Sequence, residues 1–260
     1  MAERLAGKVV VITGGAGGIG RALAAAFLAK GAKVALLDLS AAALAEAALS
    51  LQPRPLTVTC DVTDAKACAR AMAEVVAAEG GIDILVNNAG ISHRSTFLDT
   101  TDDVLRRVME VNYFGSVHCT RAALPSLLQR RGQVVVISSV AGFAPLIGRT
   151  GYAASKHALH GFFDTLRAEL RDAGVNVLMV CPSFIDTPLR KDVPVPMGGL
   201  LTPEVVAAAI VSGCRARQRQ LVLGNVGRLS FWVSKLAPRA YEVLMRRTQK
   251  GEVRSQAEKS

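Results

Sequence analysis

Two kinds of apolar pattern alternate along the chain. Short runs rich in β-branched residues read as strands: 8–14 (KVVVITG), 33–38 (KVALLD), 55–60 (PLTVTC), 82–87 (IDILVN), 133–139 (QVVVISS), 175–181 (VNVLMVC) and, last, 220–224 (QLVLG). Between them lie alanine- and leucine-rich stretches with helical spacing, such as RALAAAFLAK at 21–30 and AKACARAMAEVVAAE at 65–79. Continuously apolar strands are covered on both faces, and β–α alternation implies a parallel sheet with right-handed crossovers. The pattern predicts one doubly wound α/β domain. No internal repeat, low-complexity segment or interdomain linker interrupts it. Pro125 falls within the helical pattern that starts after 102 and is expected to kink or end that helix.

Composition adds little to this picture, but the placement of charge changes it. The chain has 260 residues, half of them hydrophobic, which suffices for a sizeable core in one domain. No apolar run approaches the roughly 18–20 residues of a membrane-spanning helix. The apolar run in MAERLAGKVVVITGG is too short and too glycine-limited for a signal peptide and reads as a first strand, so a cytoplasmic protein is expected. Five scattered cysteines (60, 68, 119, 181, 214), with no C-x-x-C pair, argue against a disulfide framework or a zinc site and for buried thiols. The formal net charge of +10 is uneven: residues 1–214 carry 20 Lys+Arg against 18 Asp+Glu, and residues 215–260 carry 11 against 3. The body of the chain is nearly neutral and nucleic acid is not expected as its partner. A basic tail can meet phosphates, lipid headgroups or an acidic surface.

The first strand ends in TGGAGGIG, residues 13–20, and leads straight into a helix. Glycines there allow a tight turn and a close backbone approach to a pyrophosphate, while the helix N-terminus offers free N–H groups and a positive dipole. Asp38 closes the second strand, 18 residues beyond Gly20, where a carboxylate can accept hydrogen bonds from both ribose hydroxyls and repel a 2′-phosphate. Capping of the next helix falls to Ser40. With no Lys or Arg between Gly14 and Gly20 or directly after Asp38, NAD is favoured over NADP.

Four segments taken together, TGGAGGIG, NNAG (87–90), ISSVAG (137–142) and YAASK (152–156), resemble the short-chain dehydrogenase/reductase family, in order and at family-like spacing from about residue 5 to residue 190. The resemblance implies a Rossmann-type sheet of about seven strands, a nicotinamide cofactor and hydride transfer at a carbonyl carbon. It places Gly14, Gly18, Ile19 and Gly20 at the pyrophosphate, Asp38 at the ribose, and Asp61 and Val62 beside the adenine. Asn88, Ala89 and Gly90 back the cofactor, and Ile185 and Thr187 hold the nicotinamide amide. Asn112, Ser139, Tyr152 and Lys156 are the catalytic four, with Tyr152 and Lys156 also touching the cofactor. Homodimers or tetramers through the helices near 102–128 and 152–172 follow from the same resemblance. No metal is implied, and His157 and His160, spaced i, i+3 without nearby ligands, read as ordinary helix residues.

The chemistry of that set has a physical basis of its own. An unperturbed tyrosine has a pKa near 10, so about one in a thousand is phenolate at pH 7. A neighbouring ammonium and a positive nicotinamide ring favour the phenolate and make it a better base near neutrality. Ser139 can donate to the substrate oxygen, and Asn112 can hold a water that relays protons from Lys156 to solvent.

Two departures from the family pattern stand out. Ser183 replaces the glycine common after Pro182, close to the expected substrate mouth. In place of a glycine-rich end, residues 225–260 form a basic amphipathic extension in which Val226, Leu229, Val233 and Leu236 recur at helical spacing beside Trp232, and Pro238 breaks the segment before a second short helix, AYEVLMRR, containing Tyr241. The extension fits packing over the substrate pocket or a neighbouring subunit, the commoner fate of an amphipathic helix, or a bilayer surface. Family members with tails of this style often act on lipophilic alcohols or ketones. On either fate the resemblance therefore implies an apolar substrate, with which Phe143, Leu146 and Ile147 are consistent. The expectation is an NAD(H)-dependent oxidoreductase for a secondary, lipophilic alcohol and its ketone. The alternatives are a small polar hydroxy substrate, a cofactor sensor without turnover, or an adaptor working through its basic tail.

Overall fold

The structure is a computed structural model that describes residues 4–186, 199–243, 245 and 246. Among these, seven strands form one all-parallel sheet in the order β3-β2-β1-β4-β5-β6-β7. The strands are β1 Val9–Thr13, β2 Lys33–Asp38, β3 Leu56–Thr59, β4 Ile84–Asn87, β5 Gln133–Ile137, β6 Asn176–Pro182 and β7 Gln220–Leu223. All seven fall on the runs expected from the apolar pattern. From β1 the chain winds outward to β3, then returns to add β4 on the other side of β1. That reversal opens a crevice at the carboxyl ends of β1 and β4, the usual ligand position in such sheets.

Around the sheet lie α1 Gly18–Leu28, α2 Ala41–Leu49, α3 Ala65–Glu79, α4 Asp102–Met109, α5 Gly115–Arg130, α6 Thr150–Glu169, α7 Pro203–Arg215 and α8 Asn225–Leu236, followed by a short helical stretch over 238–243. Period-2 alternation divides the core between two layers. Val9 and Val11 of β1 face Met72, Cys119 and Phe163 of α3, α5 and α6. Val10 and Ile12 face Leu23, Phe27 and Ile210 of α1 and α7. Each central strand is therefore apolar on both sides, which is why the strand runs show no polar alternation. All five cysteines are buried free thiols.

Local chemistry sets the helix ends. Ser40 accepts from Ala43 N at 3.2 Å and caps α2. Thr202 caps α7, with Pro203 in the first turn. Buried Asp83 accepts from Val9 N at 3.0 Å and from Lys8 Nζ at 2.9 Å, tying β1 to the start of β4. Pro125 does not end its helix: α5 continues through it to Arg130. The break in this helical run lies earlier, where a five-residue π-helical turn, Glu110–Phe114, separates α4 from α5. No helix among the described residues is long and apolar enough to cross a membrane.

Candidate active site

The glycine loop is packed too closely for most side chains. Gly14 has φ +63, and a Cβ there would stand 2.9 Å from the Ala89 Cα. A Cβ on Gly20 would run into the Gly14 carbonyl and come within 2.8 Å of the Gly15 Cα. The loop is braced from β4: Asn88 Nδ2 donates to the carbonyls of Thr13 (2.9 Å) and Gly14 (3.0 Å), and Thr13 Oγ1 accepts from the backbone N–H of Asn88 and Ala89. Thus NNAG and TGGAGGIG, 74 residues apart in sequence, form one unit.

Gly18 and Ile19 begin α1, so that helix presents its N-terminus to the crevice. Asp38, at the end of β2, accepts from Ala16 N at 3.1 Å. Asp61 accepts from Thr63 N and Oγ1 at 2.9 and 2.7 Å, which hold its carboxyl below the ordinary range. Val62 is buried, and the Val62 Cγ2 would meet any Cβ on Gly115. These residues fit a dinucleotide: a glycine cradle that a Cβ would fill, a helix N-terminus and a carboxylate at the second strand's end. Arg21, which the sequence reading passed over, folds back to donate to Ala16 O at 2.8 Å and pairs with Glu46.

The catalytic candidates converge from three elements. Asn112 lies in the π-turn, fully buried. The Asn112 amide accepts from Ile91 N (2.8 Å), donates to Ile91 O (3.0 Å) and donates to Ser155 Oγ (2.9 Å). Ser155 in turn donates to the Tyr152 carbonyl at 2.8 Å. Asn112 therefore locks the segment after β4 to the first turns of α6. An isolated π-turn commonly marks such a functional position, because it re-aims one side chain within a helix.

The glycine before Tyr152 has a steric cause. A Cβ on Gly151 would stand 2.7 Å from Leu105 Cδ2 and 3.1 Å from His93 Nε2. His93 Nε2 accepts from Gly151 N at 3.0 Å and so takes the place of a capping residue at the start of α6. Burial and the nearby Arg149 guanidinium lower the His93 pKa, which keeps that nitrogen available as an acceptor. This role was invisible in sequence because 58 residues separate the partners.

Tyr152, half-buried, shares a hydrogen bond with the Ser139 hydroxyl, and Ser139 Oγ also accepts from Ala141 N at 3.2 Å. Lys156 is buried, with its Nζ donating to the Ile137 carbonyl at 2.8 Å and lying 5.6 Å from the Tyr152 ring centroid. Burial lowers the Lys156 pKa to about 8. Burial also raises the Tyr152 phenol, against the opposing pull of Ser139 and Arg149. The expected depression of Tyr152 is thus absent from the protein by itself, because desolvation outweighs the charges that this chain brings.

A Cβ on Gly90 would stand 3.2 Å from Asn112 Oδ1 and 3.7 Å from Lys156 Nζ. Ile185 bridges to Leu201 beyond β6, and Thr187 lies outside the described residues. His157 is exposed, but His160 is half-buried beneath the site, with its Nε2 2.9 Å from Ser138 Oγ. Burial pushes His160 down to about 4, so it braces the residue beside Ser139 as a neutral ring.

A cavity of about 200 Å³ opens beside these groups, lined by Ser139, Tyr152 and Lys156 and by Ile91, Val140, Leu146, Phe184, Ile185 and Arg149. The far wall comes from the extension: Val226 and Ser230 of α8, then Tyr241 and Met245. Tyr241 is buried and hydrogen-bonds to Ser230. Ser183 also faces this wall, where Gly224 (φ +84) and Gly227 leave room for its side chain. A Cβ on Gly224 would collide with Ser183 Oγ, so the change after Pro182 is matched by glycine on the facing segment.

Residues 8–196 match the short chain dehydrogenase family. The chain belongs to that family. Among its relatives, Dehydrogenase/reductase SDR family member 7B of Bos taurus is 39% identical over 259 residues, covering 91% of this chain and 80% of the relative. The Rattus norvegicus protein of the same name is 45% identical over 195 residues, which span 71% of this chain and 60% of the relative. Dehydrogenase/reductase SDR family protein 7-like of Anopheles gambiae is 36% identical across 95% of this chain and 84% of its own. That membership places the chain in an oxidoreductase family that typically uses NAD or NADP.

Proposed function

We propose that the protein is an NAD(H)-dependent oxidoreductase interconverting a secondary, lipophilic alcohol and its ketone. The observation that carries this reading is the convergence of Tyr152, Ser139 and Lys156 on a cavity whose other walls are mostly apolar. NAD, when bound, supplies the acceptor for the substrate's hydride. Gly14, Gly18, Ile19 and Gly20 would hold its pyrophosphate and Asp38 its ribose, with Asp61 and Val62 at the adenine and Asn88, Ala89, Gly90, Ile185 and Thr187 toward the nicotinamide end.

In the oxidative direction, Tyr152 phenolate takes the hydroxyl proton while Ser139 donates a hydrogen bond to the same oxygen. Lys156, charged below about pH 8, favours that phenolate. Both ends of the Asn112 amide are engaged and its main-chain carbonyl accepts from Ser116 Oγ at 2.8 Å, so a relay water would take the second lone pair of that carbonyl. Asp38 favours NAD over NADP, since its carboxylate would repel a 2′-phosphate.

We further infer a homo-oligomer built on α4–α5 and α6, where Phe114 and Leu128 stay exposed. Arg149 on the cavity wall favours a second reading, the same chemistry on a small polar hydroxy compound. NAD-linked oxidation of secondary alcohols graded from short and polar to long and apolar, with Tyr152→Phe alongside, tests these readings. Tyrosine-dependent turnover rising with apolar size is expected. Turnover confined to small polar alcohols would select the second reading, and tight NADH binding without turnover would point to a sensor.

A further inference from the structure

Helix α8 has two apolar faces and the fold covers one of them. On the inner side, Val226 and Ser230 line the cavity and the Phe231 ring meets Phe143 edge-on at 5.0 Å. On the outer side, Leu229, Trp232 and Leu236 stand 62%, 61% and 78% exposed, and Val243 of the next helical stretch 50%. The spacing of Leu229, Trp232 and Leu236 places them on one stripe. Isolated exposed leucines are ordinary, but an apolar stripe holding an exposed tryptophan, on the helix whose other side walls the cavity, marks a contact surface.

Charge identifies what the stripe meets. Arg228, Lys235, Arg239 and Arg246 are exposed around it, with Glu242 as the acid among the described residues of 225–246. Lys235 stretches along the helix, with Nζ 5.2 Å from the Phe231 centroid. A second copy seated here would set one cationic rim against another. An anionic phospholipid surface answers both features: headgroups pair with the cations, and the tryptophan and leucines enter the acyl boundary.

We propose that the outer face of α8 docks the protein on anionic membranes, so that the helix walling the cavity lies against the lipid. The docking itself stands apart from the substrate assignment. Only the delivery of an apolar substrate from the bilayer rests on that reading.

Trp232 is the single tryptophan of the chain, so its emission reports the contact directly. The full-length protein would be titrated with phosphatidylcholine vesicles, with and without one-third phosphatidylglycerol, and binding measured by co-sedimentation and Trp232 fluorescence. Expected are a blue shift and sedimentation with the anionic vesicles only. The Leu229→Ser/Leu236→Ser variant should bind at least about tenfold more weakly while retaining wild-type NADH affinity, and Lys235→Glu/Arg239→Glu should lose binding similarly. Unchanged Trp232 emission in the presence of anionic vesicles would overturn the proposal. So would vesicle binding that survives both variants, or a dimer in solution that dissociates when Trp232 becomes serine. NADH binding and turnover, read separately, keep a failure of docking distinct from a failure of the enzyme assignment.

Discussion

The cofactor side and the substrate side of the crevice are built from different materials. On the cofactor side the shape is made by backbone: Gly14 and Gly20 lack side chains because Ala89 and the Gly14 carbonyl occupy the space. The partners there are mostly main-chain groups held by Asn88 and Thr13. On the substrate side the walls are side chains gathered from β4, β5, α6, β6 and α8, including Tyr241 and Met245 near the chain's end. A site made of backbone tolerates few substitutions, and its residue types are dictated locally. A site made of side chains can be re-specified by changing one remote segment.

Tyr152 sits where the two sides meet, and its removal should have the largest effect. Tyr152→Phe should reduce kcat about 10²–10⁴-fold with little change in NADH affinity, since acid–base catalysis is lost and the cradle stays intact. Single-turnover kinetics and NADH fluorescence titration separate the two quantities. The pH profile sharpens the point. Burial raises Tyr152 in the free protein, so oxidation should rise with pH as the phenolate forms. Bound NAD⁺ adds a positive charge and stabilises the phenolate, so the kinetic inflection at saturating NAD should lie below the phenolate titration of the free protein. That titration is the absorbance difference between wild type and Tyr152→Phe. Coincident inflections would refute the electrostatic account.

Next comes the cradle. Gly20→Ala puts a methyl into the Gly14 carbonyl, so the loop must shift. NADH affinity should fall about 10²-fold, because each hydrogen bond to the charged pyrophosphate that the shift breaks costs about 1.5–3 kcal/mol. Thermal unfolding should fall with it, whereas a substitution confined to the substrate wall should leave NADH affinity alone.

These two sides also differ in how far the sequence discloses them. The seven strands are legible because each is buried on both faces and so reads as an unbroken apolar run. The glycine loop and the Tyr152–Lys156 pair are legible because local geometry demands those residue types at short spacing. His93 as a cap for α6 is not, since it depends on a contact across 58 residues, and neither are Arg21 folded back on the loop or the Ser230–Tyr241 pair, whose side-chain directions no sequence period gives. The raised Tyr152 phenol was missed for a related reason: charge can be read from sequence, but desolvation requires a known burial. Pro125 passed inside α5 instead of ending it, and the break in that run came from the π-turn at Asn112, which no sequence period signals.

A smaller effect is expected at the cofactor's ribose end. Asp38→Ala removes a carboxylate that also accepts from Ala16 N. Loss of charge-assisted hydrogen bonds worth about 1.5–3 kcal/mol should weaken NAD about 10–100-fold and narrow its advantage over NADP. The ratio of kcat/KM for the two cofactors reads this. A ratio unchanged by the substitution would remove Asp38 from cofactor selection and shift attention to Arg21.

The mildest prediction falls on the remote wall. Tyr241→Phe keeps the ring and deletes its hydrogen bond to Ser230. A neutral hydrogen bond contributes about 0.5–1.5 kcal/mol, so KM for the longest good substrate should change by about 2–10-fold, with NADH affinity and kcat on short alcohols preserved. Tyr241→Ala enlarges the cavity and should extend the range of chain lengths accepted, because the ring it removes is part of the wall contributed by the extension. If instead NADH affinity drops in either variant, the extension is part of the cofactor side as well. The division between a backbone-made cradle and a side-chain-made pocket would then have to be redrawn at α8.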